Sequence, residues 1–258
     1  MPTVPAEYRG LWRRRLLETP ELTDRSTLVY WLQTGSLYAD LRLPAERVPD
    51  DPQALARQQG FAGLLKVDGN RLTWERWLDF QPPAAPDVGR VHFEGEVLVE
   101  HGVHAEYREE WERVQAAGAD SLALSLEAEL DARGRQADRR GVLVACGDYF
   151  LFALDRRRAL PATAELGALL GNNRYTSEEK RAFLDCTIDF GARAPDGVWR
   201  VQHSTQPAHE QRDLAELHGG WRSDGPEHCL QTRAGGVFRR WRVVERGAAF
   251  RGLPGAAP

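Results

Sequence analysis

Lysine is almost missing from this chain. Lys66 and Lys180 are its two examples, arginine supplies the remaining positive charge, and the formal net charge is −4. A dedicated nucleic-acid binder needs a basic surface to displace counterions, so this balance argues against a nucleic-acid partner. Cysteine is also sparse. Cys146, Cys186 and Cys229 form an odd set with no Cys-x-x-Cys pair, which fits a reducing compartment rather than a disulfide framework. No apolar run approaches the roughly 18–20 residues that cross a bilayer. The opening Met1-Pro-Thr-Val-Pro-Ala-Glu7 lacks the apolar centre of a secretory signal. No membrane association and a cytoplasmic location are therefore expected. There is no Gly-rich phosphate loop, dinucleotide fingerprint, His-Glu-x-x-His or Gly-x-Ser-x-Gly elbow, so no cofactor is expected.

What the chain does contain is strand grammar, over a length of 258 residues that suits one large or two smaller β-domains. From Leu28 to Pro44 a run rich in leucine, aromatic and β-branched residues is broken once, at Gly35-Ser36. Beyond that break Leu37, Ala39, Leu41 and Leu43 share one face and Tyr38, Asp40 and Arg42 the other, the period-2 pattern of a strand. Residues 61–80 read as a hairpin turning at Asp68-Gly-Asn70. Within it, strict alternation puts Trp74, Arg76, Leu78 and Phe80 on one face and Glu75, Trp77 and Asp79 on the other. Helices are expected to be short: one capped by Asp51 and stopped at Gly60, one over 162–170, and one opened by Ser177. A proline-rich loop at 82–87 and a Gly/Pro/Ala tail from Leu253 complete the outline.

The two halves follow one script. Val29–Arg42 lines up with Val142–Asp155, and Asp79-Phe80 with Asp189-Phe190, each acidic–aromatic pair preceding a loop with proline and aspartate. This predicts an internal duplication over 28–114 and 121–245, organised as two all-β domains at 1–115 and 116–258. The stretch Trp31-Leu-Gln-Thr-Gly-Ser-Leu-Tyr-Ala-Asp-Leu-Arg-Leu-Pro44 resembles the opening signature of a poorly characterised fungal and bacterial family of lipocalin-like proteins. That resemblance implies two consecutive lipocalin-like antiparallel β-barrels with short helices, and it transfers no chemistry.

A barrel of about eight strands encloses just enough space for one small ligand. The expected ligand-binding residues are Trp31, Gln33, Arg42, Trp74 and Arg76, where a guanidinium among aromatics can take a carboxylate. The competing expectation is that each arginine neutralises a neighbour such as Asp40 or Asp79. In an alternative reading the same cavity performs cofactor-free acid/base chemistry as an isomerase, hydratase or lyase, with Tyr38 and Asp40 donating and accepting the proton. A third reading is an interaction protein with filled barrels. A small-molecule ligand is the expected partner, and a homodimer is left open. His101 and His104 have ligand-like spacing, but no further ligands converge with them in sequence, so no metal is expected.

Overall fold

The computed structural model describes residues 3–82, 86–118, 120–130, 133–163, 165–232, 238–250 and 252–253. The expected proline-rich loop and the tail fall partly outside them, at 83–85 and 254–258. The first half contains β1 (Gly10–Glu18), β2 (Thr23–Asp24), β3 (Leu28–Gln33), β4 (Leu37–Leu43), β5 (Gln59–Asp68), β6 (Arg71–Asp79), β7 (Asp87–Glu94), β8 (Val97–Gly102) and β9 (Arg108–Ala116). Each strand from β4 to β9 pairs with its predecessor, β3 pairs with β1, and β9 returns to β1, so eight strands close into an up-and-down barrel. The short β2 extends beyond the ring, pairing with the end of β1.

The second half contains β10 (Leu122–Leu130), β11 (Gln136–Ala137), β12 (Gly141–Cys146), β13 (Tyr149–Leu154), β14 (Thr187–Arg193), β15 (Trp199–Ser204), β16 (Gly220–Ser223), β17 (His228–Thr232) and β18 (Phe238–Arg246). Its order, β15-β14-β13-β12-β10-β18-β17-β16, is the order of the first ring cut between the strands equivalent to β6 and β7. Two antiparallel sheets of like topology are therefore present, one closed and one curled but open between β15 and β16. The open edge holds a 3-10 turn (Pro207–His209) and a short helix, Leu214–His218, whose Leu214 and Leu217 are buried in the sheet's core.

Ladder partners give the true alignment of the halves. Trp12 faces Trp31 as Leu124 faces Leu143, and Trp31 faces Asp40 as Leu143 faces Phe152. Trp31 thus corresponds to Leu143, one residue off the expected alignment. Asp189 corresponds to Phe61 of β5 rather than to Asp79 of β6, because Phe61 faces Asp40 as Asp189 faces Phe152. Strand grammar repeats every second residue, so a slip of one and a swap of neighbouring hairpins both preserve its look.

The remaining helices are α1 (Pro52–Leu55), α2 (Leu166–Gly171) and α3 (Ser177–Phe183). Helix α1 is capped by Asp51, whose side chain accepts from Gln53 N, but it lasts one turn, and Gly60 already belongs to β5. Helix α3 is capped by Thr176, one residue before the expected serine, in a reciprocal box with Glu179. The outer face of β4 (Leu37, Ala39, Leu41 and Leu43) packs against Val142, Val144, Leu151 and Ile188 of the second sheet in one apolar cluster. Tyr30 stacks on Phe190 at 4.0 Å across this seam. Arg156 ties it further, donating to the carbonyls of Asp79 (2.9 Å), Phe80 (2.6 Å) and Phe183 (3.1 Å). No helix among the described residues is long and apolar enough to cross a membrane.

Candidate functional site

With one face of β4 committed to the seam, Tyr38, Asp40 and Arg42 point into the first barrel. Tyr38 packs there with Trp12, Trp31, Phe61, Trp74 and Trp111. On β6 the alternation breaks. Ala62 faces Leu78 but Gly63 faces Arg76, so Trp77 is the extra residue of a β-bulge. Trp74 and Arg76 face inward before the bulge. After it Asp79 faces inward instead, while Leu78 and Phe80 turn outward to the seam. The strict alternation expected along 74–80 is thereby corrected: the bulge brings Arg76 and Asp79 together in an ion pair of 2.7 Å.

At the Arg42 end of the barrel these strands surround a cavity of about 290 Å3, lined by Trp31, Trp74 and Trp111 on its apolar side. Trp31 meets both other indoles edge-on, at 5.8 Å each. Arg42 and Arg76 also line it and lie over the Phe61 ring at 5.1 Å and 3.6 Å. Arg42 Nε donates to Asp40 Oδ1 (2.9 Å), and its Nη1 is 3.7 Å from Glu109, which also accepts from Arg14 (2.7 Å). Arg76 reaches Asp79 and, at 2.6 Å, Asp87. The ladder between β6 and β7 ends at Trp74–Asp87, so the Arg76–Asp87 pair crosses a split in the barrel wall. An outer groove of about 740 Å3 lies against this split and shares Trp74, Arg76 and Asp87 with the cavity.

Burial sets the charge states. It pushes the Asp40 carboxyl up, with Arg42 working against the shift. Although burial opposes the charge of Arg42, Asp40 and Glu109 hold its guanidinium firmly protonated. Glu100, 3% exposed, faces Glu109 across the β8–β9 ladder. Burial, reinforced by Glu109, raises it well above the usual carboxylate range, and among the described residues only the Tyr107 hydroxyl at 2.7 Å donates to it. Its space is made by Gly89, where a Cβ would lie 2.6 Å from Glu100 Oε1. Buried donors remain open: among the described residues Trp31 Nε1, Trp111 Nε1 and Arg76 Nε have no hydrogen-bond partner.

Of the residues expected to bind a ligand, Trp31, Arg42, Trp74 and Arg76 meet at this cavity, as does Asp40. Gln33 does not line it. It sits by the β3–β4 turn, donating to the carbonyls of Thr34 (2.9 Å) and Leu37 (3.3 Å). Tyr38 is fully buried, edge-on to Phe61 and outside the cavity lining, its hydroxyl without a hydrogen-bond partner among the described residues. Sequence reasoning missed Glu100, Tyr107, Glu109 and Trp111, which come from β8, β9 and the loop between them. The one available signal was Glu100 following the apolar run Val97-Leu-Val99; Glu109 stands among other charged residues and gave none.

The second sheet carries another polar cluster. Asp189 is fully buried and accepts from the Ser204 hydroxyl. His209 Nδ1 lies 3.1 Å and 3.2 Å from its two oxygens, and His218 Nε2 lies 2.7 Å from Oδ2. Burial opposes ionisation of Asp189, but the hydrogen bonds with His209 and His218 prevail and hold its carboxyl at about 2. His101 and His104 are instead exposed on the first barrel, His101 stacked on His92 at 5.8 Å. The three cysteines are buried and free, and burial pushes the Cys146 and Cys186 thiols up to about 12. Comparison of the chain with protein-family models, curated proteins and solved structures returns no match.

Proposed function

We propose that the first barrel binds a small, partly apolar molecule, aromatic and bearing a hydrogen-bond acceptor such as a carboxylate. The observation that carries this reading is the surplus of buried donors on the residues around the cavity. The indoles of Trp31 and Trp111 and the Nε of Arg76 are unsatisfied. Arg42 spends Nε on Asp40, leaving its Nη groups without a hydrogen bond among the described residues. A buried donor without a partner costs about 1–3 kcal/mol, which an acceptor on the ligand offsets. The volume of about 290 Å3, near that of about ten waters, suits a compact ring system. The split beside Arg76 and Asp87 is the way in. In this reading the chain is a lipocalin-like cytoplasmic binder with units at 1–115 and 116–258, the first holding the ligand.

The test is quenching of tryptophan fluorescence by a panel of phenyl- and indole-carboxylates, set beside the matching amines and neutral analogues. Carboxylates bind best, and Arg42→Met lowers their affinity by about 2–5 kcal/mol. The same substitution strips buried Asp40 of its partner, so the melting point also falls. Weakened stability with unchanged affinity makes Arg42 a purely structural cation and removes the anchor from this reading.

One observation favours a second reading, the cofactor-free acid/base enzyme. Burial beside the cavity raises the Glu100 carboxyl with no cation paired to it among the described residues, while Asp40, also raised by burial, is paired with Arg42, and two carboxyls in different environments can serve as acid and base. In that case Glu100, rather than Tyr38, is the proton donor. Turnover of a bound carboxylate that Glu100→Gln abolishes without weakening binding would establish it.

A further inference from the structure

The Asp189 cluster belongs to the second sheet alone. Its counterpart in the first barrel is Phe61, so nothing in the shared topology requires a carboxylate here. In the first barrel the buried Asp40 is instead paired with a guanidinium, that of Arg42. At Asp189 two imidazoles converge instead, from the 3-10 turn and from the helix Leu214–His218. Both sit on the connection between β15 and β16, where the second ring stays open. The two rings stand at 80° with centroids 5.4 Å apart, so their ring planes cross rather than stack.

One donor atom from each of the three residues lies within 4.8 Å of the others. In a tetrahedral site with bonds of about 2.0–2.1 Å, donors stand roughly 3.3 Å apart. The measured separations of 2.7, 3.1 and 3.2 Å between nitrogen and oxygen are already close to that spacing. We propose that Asp189, His209 and His218 form a binding site for a divalent transition-metal ion of the zinc or iron(II) class, held by two imidazoles and one carboxylate. The ion takes the place of the protons now shared between the imidazoles and the carboxylate. Ser204 donates to Oδ1 and orients the carboxylate, as the outer hydrogen bonds of metal sites do. Three protein donors leave coordination positions open, the arrangement of a reactive rather than a purely structural site. His209, with 22% of its side chain exposed, marks the side from which the ion and a further ligand arrive.

Purified full-length protein stripped with a chelator is dialysed against Zn2+ or Co2+ and analysed for metal content, with the visible bands of Co2+ reporting coordination. About one ion per chain is expected. His209→Ala and His218→Ala should each weaken binding about 100-fold or more and bleach the Co2+ bands. The double variant His101→Ala/His104→Ala, on the other sheet, should bind like the parent. His209 is partly exposed, so His209→Gln serves as the variant whose folding, checked by melting, is not at issue. Absence of stoichiometric binding to the folded parent overturns the site, as does undiminished binding by folded His209→Gln.

Discussion

Glu100 shows what a single residue costs the first barrel. Its counterpart in the second sheet is Gln231: Glu100 faces Glu109 as Gln231 faces Arg239. The amide stands where the second sheet needs a polar group without a charge, accepting from Arg239 (3.1 Å) and Trp241 (3.2 Å). Because burial raises Glu100 above its unfolded value, the folded chain holds this proton where the unfolded chain has lost it. Stability contributed by that proton is complete below the unfolded value of about 4.3 and is lost as pH rises through the folded value. Glu100→Gln keeps the acceptor for Tyr107 and removes the titration. The variant should match the parent in urea at pH 4 and exceed it by on the order of 1 kcal/mol or more at pH 8. Parallel curves at both values would mean that burial does not raise Glu100 in the folded protein. Residues such as Asp40 and Arg42 were legible because alternation along one strand puts them on one face. Glu100, Glu109 and the Asp189 cluster were not, since their meaning depends on neighbours from distant strands.

At the level of the element, the β-bulges decide which side chains reach the interior. Gly63 and Gly191 occupy equivalent places, each beside the bulge in the following strand. A Cβ would come within 1.9 Å of Glu75 O at Gly63 and 2.1 Å of Arg200 O at Gly191. Those atoms are backbone and cannot swing away. Gly63→Ala and Gly191→Ala should each therefore cost more than about 2 kcal/mol by chemical denaturation. Gly69→Ala is the control: its Cβ meets nothing, and the cost is the roughly 1 kcal/mol of a positive φ. Equal losses at all three positions would show that conformation, not the close approach, makes glycine necessary. The sequence reveals strands well because their period is local, whereas one bulged residue inverts every face beyond it. That is why Leu78 and Phe80 could be placed with Trp74 when they belong to the seam.

For the whole molecule the seam matters more than either ring. The largest apolar cluster draws on both sheets, with Leu37, Leu41 and Phe80 from one and Val144, Leu151 and Phe190 from the other. The two halves should therefore unfold together, so that tryptophan fluorescence and far-ultraviolet circular dichroism trace one coincident transition in denaturant. Two resolved steps would make them energetically independent. The duplication was visible in sequence as a repeated rhythm. The opening of the second ring was not, because strand periodicity does not tell which neighbouring strands, here β15 and β16, fail to pair.

The closing strands of each ring have a consequence for how the chain is made. In the first ring Gly10 pairs with Ala116, so the barrel cannot seal until nearly half the polypeptide has left the ribosome. Contacts so far apart in the chain form slowly. Once sealed, the barrel shows the apolar outer face of β4 to solvent or to any neighbouring nascent chain. Its cover, β12 to β14, is complete only at Arg193. At about 5–20 residues per second that interval is roughly 4–15 s of naked hydrophobic surface. Synthesis rate and chaperone supply, more than the stability of the finished protein, would then set how much of it escapes aggregation.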